Sequence, residues 1–305
     1  MKKTSKPIVF FGSGPVAAES LALLAKDFTI EAVITKPRAH HHLGTVPVLE
    51  LAESLKLPIH TVGNKRDLDA LFSRNSITSR LGVLIDFGII VSQQVIDYFP
   101  LGIINSHFSI LPEWRGPDPI SFAILSGQKK TGVSLMFLVA AMDEGPLLGY
   151  KEQTIDATTT TPELTKRLIT LSHSLLLSHL PILMAGQHEG SPQTITGKEV
   201  SYSRKLTKED GEIDWNKPAE IIEREIRAFI EWPKSHTKFG DLDVIVTHAH
   251  VVTESGTPGR STVINKLPVV YCGQDALAID QLKPAGKKEM TGQSFLAGYR
   301  NKIIN

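Results

Sequence analysis

Residues 8–25 read Ile8-Val9-Phe10-Phe11-Gly12-Ser13-Gly14-Pro15-Val16-Ala17-Ala18-Glu19-Ser20-Leu21-Ala22-Leu23-Leu24-Ala25. Four apolar residues predict a buried strand, Gly-Ser-Gly-Pro a tight turn, and the leucines and alanines that follow a helix that begins at or just after the proline. Working outward, residues 30–34 repeat the strand signal, 48–55 read as the next helix, and 82–85 as another strand apolar on both faces. Strands alternating with helices predict an α/β, Rossmann-like, mostly parallel sheet covered on both sides. In such sheets ligands bind beyond the carboxyl ends of the strands, so the chemistry is sought in the segments that follow them.

The first such segment, Gly12 to Ala17, fits the G-x-G-x-x-[GA] pattern that lets a pyrophosphate approach a helix N-terminus. The second strand, however, ends in Thr35-Lys36, with no acid to hold a ribose hydroxyl; Lys36 and Arg38 would suit the extra phosphate of NADP. The plainer reading is a turn that closes a strand–helix unit, with an NADP oxidoreductase kept as the alternative.

Composition narrows the class. The 305 residues are 41% apolar and 21% charged, the balance of a globular protein of about two domains. Thirty-three Lys and Arg against 32 Asp and Glu leave a charge of +1, so a charged partner must be met by a local patch. One cysteine, Cys272, allows neither an internal disulfide nor a cysteine-based zinc site, as in a reducing compartment. No uninterrupted apolar run approaches membrane-spanning length and no leader pattern is evident, so a cytoplasmic protein without a membrane partner is expected.

Residues 101–107, Leu-Gly-Ile-Ile-Asn-Ser-His, read as a buried strand turning polar at its carboxyl end. Alternation puts Asn105 and His107 on one side, beside the expected crevice. Residues 108–119 contain three prolines, which makes a stiff loop, and Asp143 follows a further strand over 132–138. Asn, His and Asp without a serine or cysteine nucleophile point to chemistry in which the substrate itself attacks. The amide can stabilise an oxyanion, the imidazole can handle the proton of an amine, and the carboxylate can orient the imidazole. The class implied is acyl or one-carbon transfer to an amine.

Asn105-Ser106-His107, Ser109-Ile110-Leu111-Pro112-Glu113-Trp114-Arg115-Gly116, Thr131-Gly132-Val133 and Met142-Asp143-Glu144-Gly145 together resemble the signature of folate-dependent formyltransferases. Toward the carboxyl end, Ile213-Asp214-Trp215, Arg227-Ala228-Phe229, Trp232-Pro233, Pro258-Gly259 and residues 282–290 resemble the branch of that family acting on methionyl-tRNA. The resemblance implies transfer of a formyl group from 10-formyltetrahydrofolate to the α-amino group of methionine on initiator tRNA, without a metal. A formyltransferase acting on an amino sugar or glycinamide ribonucleotide is the nearest alternative, and a catalytically silent tRNA-binding module a more distant one. It places Asn105, His107 and Asp143 at the catalytic positions, Ser109, Ile110, Leu111 and Pro112 against folate, and Phe87, Gly88, Ile89 and Ile90 on the pterin side.

The resemblance also marks departures. Asp86 and Ser92 stand where the family usually has a small residue and a proline, and Val16 replaces an aromatic. The loop over 36–47 is short and poor in Lys and Arg, with His40-His41-His42 in place of a basic insertion.

Thr161-Pro162-Glu163 predicts a helix start, with Thr161 as cap and Leu164, Leu168, Leu171 and Leu175 at helical spacing. The expected domains are a catalytic domain over 1–187, a linker over 188–203 and a tRNA-binding domain over 204–305. In the last, a helix precedes short strands over 244–247, 251–252, 263–264, 269–272 and 276–279, read as a small β-barrel, OB-like by the resemblance. From Arg204 to Lys302 there are 15 Lys and Arg against 14 Asp and Glu, so a tRNA face must segregate charge. Lys283, Lys287, Lys288, Arg300 and Lys302 are its candidates there, and Lys36 and Arg38 in the first domain. His248 with His250, and the His40 run, lack ligand-spaced partners, so no metal is expected. A monomer is expected to bind folate and initiator methionyl-tRNA.

Overall fold

The computed structural model describes residues 6–38, 46–74, 76–187 and 189–303, and the His40-His41-His42 run lies outside them. Packing divides the chain into two compact units. One comprises Met1–Pro119, Lys130–Thr154 and Thr165–Ser203; the other comprises Ile120–Lys129, Ile155–Leu164 and Arg204–Asn305.

The first unit holds a seven-stranded sheet of β1 (Ile8–Phe11), β2 (Ile30–Thr35), β3 (Ile59–Thr61), β4 (Gly82–Leu84), β5 (Ile103–His107), β6 (Lys130–Phe137) and β7 (Leu147–Thr154). Its order is β3-β2-β1-β4-β5-β6-β7. The pairs from β3 to β5 are parallel, and β6 and β7 are added antiparallel. Every residue of β1 is buried, which is why the sequence there is apolar without alternation. Strand order reverses between β1 and β4, the point where such sheets open a crevice.

Helix α1 (Pro15–Asp27) begins with proline at its first turn, where the missing N–H costs nothing, and buries Ala17, Leu21 and Leu24. Helices α2 (Pro47–Ser54), α3 (Lys65–Phe72) and α4 (Gln93–Asp97) follow β2, β3 and β4 in turn. The ring of Phe11 packs against Phe72, Phe87 and Phe99, with centroids 5.9, 5.6 and 5.9 Å away.

After α5 (Pro119–Leu125), α6 (Thr161–Met184) is capped one residue earlier than expected. Thr160, not Thr161, is the cap, and Glu163 Oε2 accepts from its N–H at 2.9 Å. Thr161 Oγ1 donates instead to the carbonyl of Ala228. Helix α6 is long and apolar enough to cross a membrane by length and composition. It holds no uninterrupted apolar run of that length, since polar residues such as Ser172, His173, Ser174, Ser178 and His179 break it. Its residues Leu164, Leu168, Leu176 and Leu180 are fully buried against the protein itself.

The second unit carries an antiparallel sheet of β8 (His236–Phe239), β9 (Leu242–Val252), β10 (Ser261–Ile264), β11 (Leu267–Tyr271), β12 (Ala276–Pro284) and β13 (Met290–Thr291). The order is β10-β11-β12-β9-β8, with β13 on β12. Helices α7 (Ala219–Ala228) and α8 (Gly292–Tyr299) contribute Ile222, Ile226 and Phe295 to a core with Val246, Leu277 and Leu282. The expected strands 244–247 and 251–252 are one strand, β9. His248 and His250 face solvent on it, so the break in the apolar pattern marks an exposed face and not a turn. His250 also gains a carboxylate, Asp280 Oδ2 at 2.8 Å on the adjoining β12, a neighbour that sequence spacing does not reveal. Among the described residues no group of three metal-ligating side chains occurs.

Because Phe11 fills the centre of the first unit's aromatic cluster, Phe11→Ala should lower stability by about 3–5 kcal/mol. Denaturant unfolding checks this, and a loss under about 1 kcal/mol would contradict the packing role.

Candidate active site

Asn105 and His107 lie on one face of β5, held between β4 (Leu84 opposite Asn105) and β6 (Ser134 opposite His107). Ser106 points the other way and pairs with Ser172 Oγ at 2.7 Å, as strand alternation requires. Asp143, in the turn after β6, meets both residues of the first face. Its Oδ1 accepts from Asn105 Nδ2 at 3.4 Å and its Oδ2 lies 3.8 Å from His107 Nδ1. The three residues expected from the sequence are therefore brought together.

The ring orientation follows from a backbone group. His107 Nε2 is 2.9 Å from the carbonyl of Trp114. A carbonyl only accepts, so Nε2 carries the hydrogen, and Nδ1 is the basic atom, turned toward Asp143. A proton taken up at Nδ1 is met by the carboxylate. Asn105 has two amide hydrogens, and the long bond to Asp143 engages one, leaving the second for a ligand.

Asp143 is itself tightly held. Its Oδ2 accepts from the N–H of Gly116 at 2.7 Å, and its carbonyl accepts from Gln193 Nε2 at 2.7 Å. Gln193 Oε1 accepts in turn from Arg115 Nη2 at 2.8 Å, and Arg115 Nη1 pairs with Glu144 at 3.0 Å. Asp143 and Trp114 both adopt left-handed backbone conformations, φ 54° and 56°. For residues with a side chain such conformations cost about 1–3 kcal/mol and persist only where the surroundings impose them.

Gln193 is a residue that sequence reasoning missed, because the segment around it has the composition of a linker. In the structure that segment docks on the first unit. Ser191 bridges to Leu147, Tyr202 bridges to Arg115, and residues Gln193–Thr196 form a 3-10 turn. Its polar side chains serve buried partners instead of water.

The expected folate segments divide. Ser109, Ile110 and Leu111 are buried, with Ser109 Oγ donating to the carbonyl of Glu113 and Ser134 Oγ donating to that of Ser109 at 2.8 Å. Pro112 is buried as well. Phe87 turns into the core against Phe11, while Gly88 and Ile90 are exposed and Ile89 is half-buried at the carboxyl end of β4. Of the expected cations, Lys283, Lys287, Lys288 and Arg300 are exposed, Lys36 is half-buried, and Arg38 and Lys302 are paired with Glu50 and Asp241.

The turn after β1 is spoken for. The N–H groups of Ser13 and Gly14 donate to the carbonyl of Asp86 at 2.9 and 3.4 Å. The Asp86 carboxylate stands over Gly14, where an added Cβ would overlap Oδ2. An anion already in place opposes the approach of a pyrophosphate, which sets aside the dinucleotide alternative. Asp86 is solvent-accessible yet hemmed in by the strand ends. This desolvation raises its carboxyl to about 6, with the Lys36 ammonium pulling the other way. Two further concavities, of about 140 and 360 Å³, lie within the second unit and contain none of these residues.

The sequence profile described as formyl transferase matches residues 53–180, and that described as formyl transferase, C-terminal domain, matches residues 205–300. The chain belongs to the formyltransferase family. It is 35% identical to the methionyl-tRNA formyltransferase of Magnetococcus marinus over 303 residues, covering 97% of this chain and 96% of that one. Among solved structures, HypX from Aquifex aeolicus in complex with tetrahydrofolic acid superposes with a TM-score of 0.64 at 17% identity, covering 97% of this chain and 48% of that one. An N-formyltransferase from Helicobacter canadensis in complex with folinic acid and dTDP-3-aminofucose gives 0.66 at 17% identity, covering 90% and 99%. These two likenesses are of fold.

Because the Asp86 carboxyl titrates above its ordinary range in the folded chain, the native state holds that proton more tightly than the unfolded chain does. Its contribution to stability therefore falls as pH rises from about 4 to about 6, and the full penalty persists above that window. Asp86→Asn should raise the melting temperature at pH 8 and leave it near the wild-type value at pH 4. An equal change at both would contradict the assignment.

Proposed function

We propose that the chain is a methionyl-tRNA formyltransferase, moving the formyl group of 10-formyltetrahydrofolate to the α-amino group of methionine esterified to initiator tRNA. The product, formylmethionyl-tRNA, serves translation initiation in the cytoplasm. The observation that carries this reading is the 35% identity extending over 97% of the chain, through both units, to a protein of that name. Relatedness to the amino-sugar enzyme is 17%, a likeness of fold.

The residues at the crevice fit such a donor. Ile89 and Ile90 offer apolar surface in the segment after β4, the strand that pairs with β5 and its amide and imidazole. Gly88, Ile89 and Ile90, with the backbone of the inward-turned Phe87, and residues 109–112 would hold the folate, the last through the shape of its packed backbone. When bound, 10-formyltetrahydrofolate supplies the electrophilic carbon.

The protein's own groups do the rest. The second amide hydrogen of Asn105 stabilises charge developing on the acyl oxygen. His107 Nδ1 accepts the proton released by the attacking amine, and Asp143 stabilises the resulting imidazolium. An α-amino group titrates near pH 8, so much of it is already neutral and base assistance is a modest contribution. Positioning and oxyanion stabilisation carry most of the acceleration.

We also infer that the antiparallel sheet of the second unit is an OB-like barrel, and that the working division is a catalytic domain over 1–187, a connecting segment over 188–203 and a tRNA-binding domain over 204–305. The enzyme acts as a monomer. Exposed Lys283, Lys287 and Lys288, with Lys36 and Arg38 on the catalytic side, contact tRNA phosphates.

The direct test is formylation of charged initiator tRNA against free methionine, glycinamide ribonucleotide and an amino sugar; activity on one of the last two with none on tRNA would reject the reading. His107→Ala and Asn105→Ala should each lower kcat about 100-fold or more with folate affinity retained. Asp143→Asn should lower kcat and move the acid limb of the pH–rate profile to lower pH, since the imidazolium loses its counter-charge. Replacing Lys287 and Lys288 by alanine should weaken tRNA binding and flatten its salt dependence by about 1 for each phosphate no longer neutralised. An unchanged slope would remove them from the interface.

A further inference from the structure

Asp86 has no part in the function above and Lys36 only that of a phosphate contact, yet the chain makes room for both. Three strand ends converge on the point where strand order reverses. Lys36 follows β2, the Gly12-Ser13-Gly14 turn follows β1, and Asp86 follows β4. The absent side chain of Gly14 leaves the space that Asp86 Oδ2 occupies. The absent side chain of Gly88 leaves the space for Lys36, whose Nζ would sit 2.9 Å from a Cβ there. The carboxylate thus stands over Gly14 and the ammonium over Gly88.

Asp86 also holds a left-handed backbone conformation, φ 47°, which a side-chain-bearing residue adopts at a cost. Its carboxylate accepts no hydrogen bond from the described residues, while its carbonyl receives the N–H groups of Ser13 and Gly14. Its backbone carbonyl is satisfied, whereas its carboxylate is accessible and lacks donors among the described residues. Asp86 follows β4 by two residues, and the last residue of that strand, Leu84, pairs with Asn105 of β5.

A carboxylate asks for hydrogen-bond donors, and a neighbouring ammonium asks for an anion. A ribonucleotide presents both, a sugar hydroxyl as donor and a phosphodiester as anion. A pterin edge offers donors without the anion, and a phosphate monoester alone would be repelled by Asp86.

We propose that Asp86 and Lys36 form a subsite for the terminal ribonucleotide of the amine substrate, in which the Asp86 carboxylate accepts from the ribose 2′-hydroxyl and Lys36 neutralises the adjoining phosphodiester. This makes Asp86 a specificity-determining residue, favouring an aminoacyl ribonucleotide over a small free amine. The inference rests on charged tRNA being the amine substrate.

The test compares full-length enzyme on tRNA chemically acylated with methionine at a terminal adenosine or at a terminal 2′-deoxyadenosine. Wild-type kcat/KM should favour the ribose end roughly 10-fold or more, the scale of a hydrogen bond to a charged group. Asp86→Gly, which suits the left-handed backbone, should bring the ratio close to 1. Gly14→Ala, which retains Asp86 but displaces its carboxylate, should do the same. Lys36→Ala should preserve the ratio and lower the salt slope of binding by about 0.7–0.9.

A wild-type ratio near 1, or a ratio unchanged in both the Asp86→Gly and Gly14→Ala proteins, overturns the subsite. Weakened folate binding by Asp86→Gly with the ratio unchanged would assign the carboxylate to the pterin instead and equally overturns it. Failure of the wild type to formylate either tRNA, with activity on another amine, overturns the function reading and the subsite together.

Discussion

The carboxylate of Asp143 ties the turn after β6 to the stiff loop after β5 through the Gly116 N–H at 2.7 Å. With the loop held there, the carbonyl of Trp114 meets His107 Nε2 and fixes which imidazole nitrogen carries the hydrogen. The same carboxylate group faces Nδ1 and Asn105. One half-buried carboxylate therefore sets loop position, ring orientation and the charge that a protonated ring would meet. Such an anion is stable only with its acceptor capacity used, and here it meets an amide N–H, a side-chain amide and the imidazole.

Around this anchor the structure spends strain and polar contacts in one place. Asp143 and Trp114 sit in left-handed conformations, held by Gln193, Arg115 and Glu144. A segment with the composition of a spacer supplies the key amide. Its function as a brace shows why polar, glycine-containing stretches near a site cannot be assumed solvated: a buried turn has carbonyls that need donors, and glutamine provides two.

The crevice at the β1–β4 reversal shows a second economy. The same glycine turn that other α/β folds use to admit a phosphate is closed by the Asp86 carbonyl and screened by its carboxylate. A pattern of glycines describes available space, and the side chain that fills the space decides what kind of ligand the fold receives. Formyl transfer requires an uncharged nucleophile and an acyl oxygen that gains charge, so hydrogen-bond donors and a proton acceptor suffice at β5.

The sequence by itself determined the alternation of strands and helices, the buried β1, and the shared face of Asn105 and His107, because each depends on period and burial along a few consecutive residues. The N-x-H pair and Asp143 were legible as chemistry through their combination: an amide and an imidazole on one strand face, with a carboxylate after the next strand, match the needs of acyl transfer where any one of them alone would read as structural. What only tertiary structure decided involves partners distant in the chain. Gln193 under Asp143, the occupation of the Gly14 turn by Asp86, the inward rotation of Phe87 and the fusion of two expected strands into β9 are of this kind. Each depends on which side chain fills a particular volume or satisfies a particular buried group, and that is settled only when segments far apart in sequence pack together.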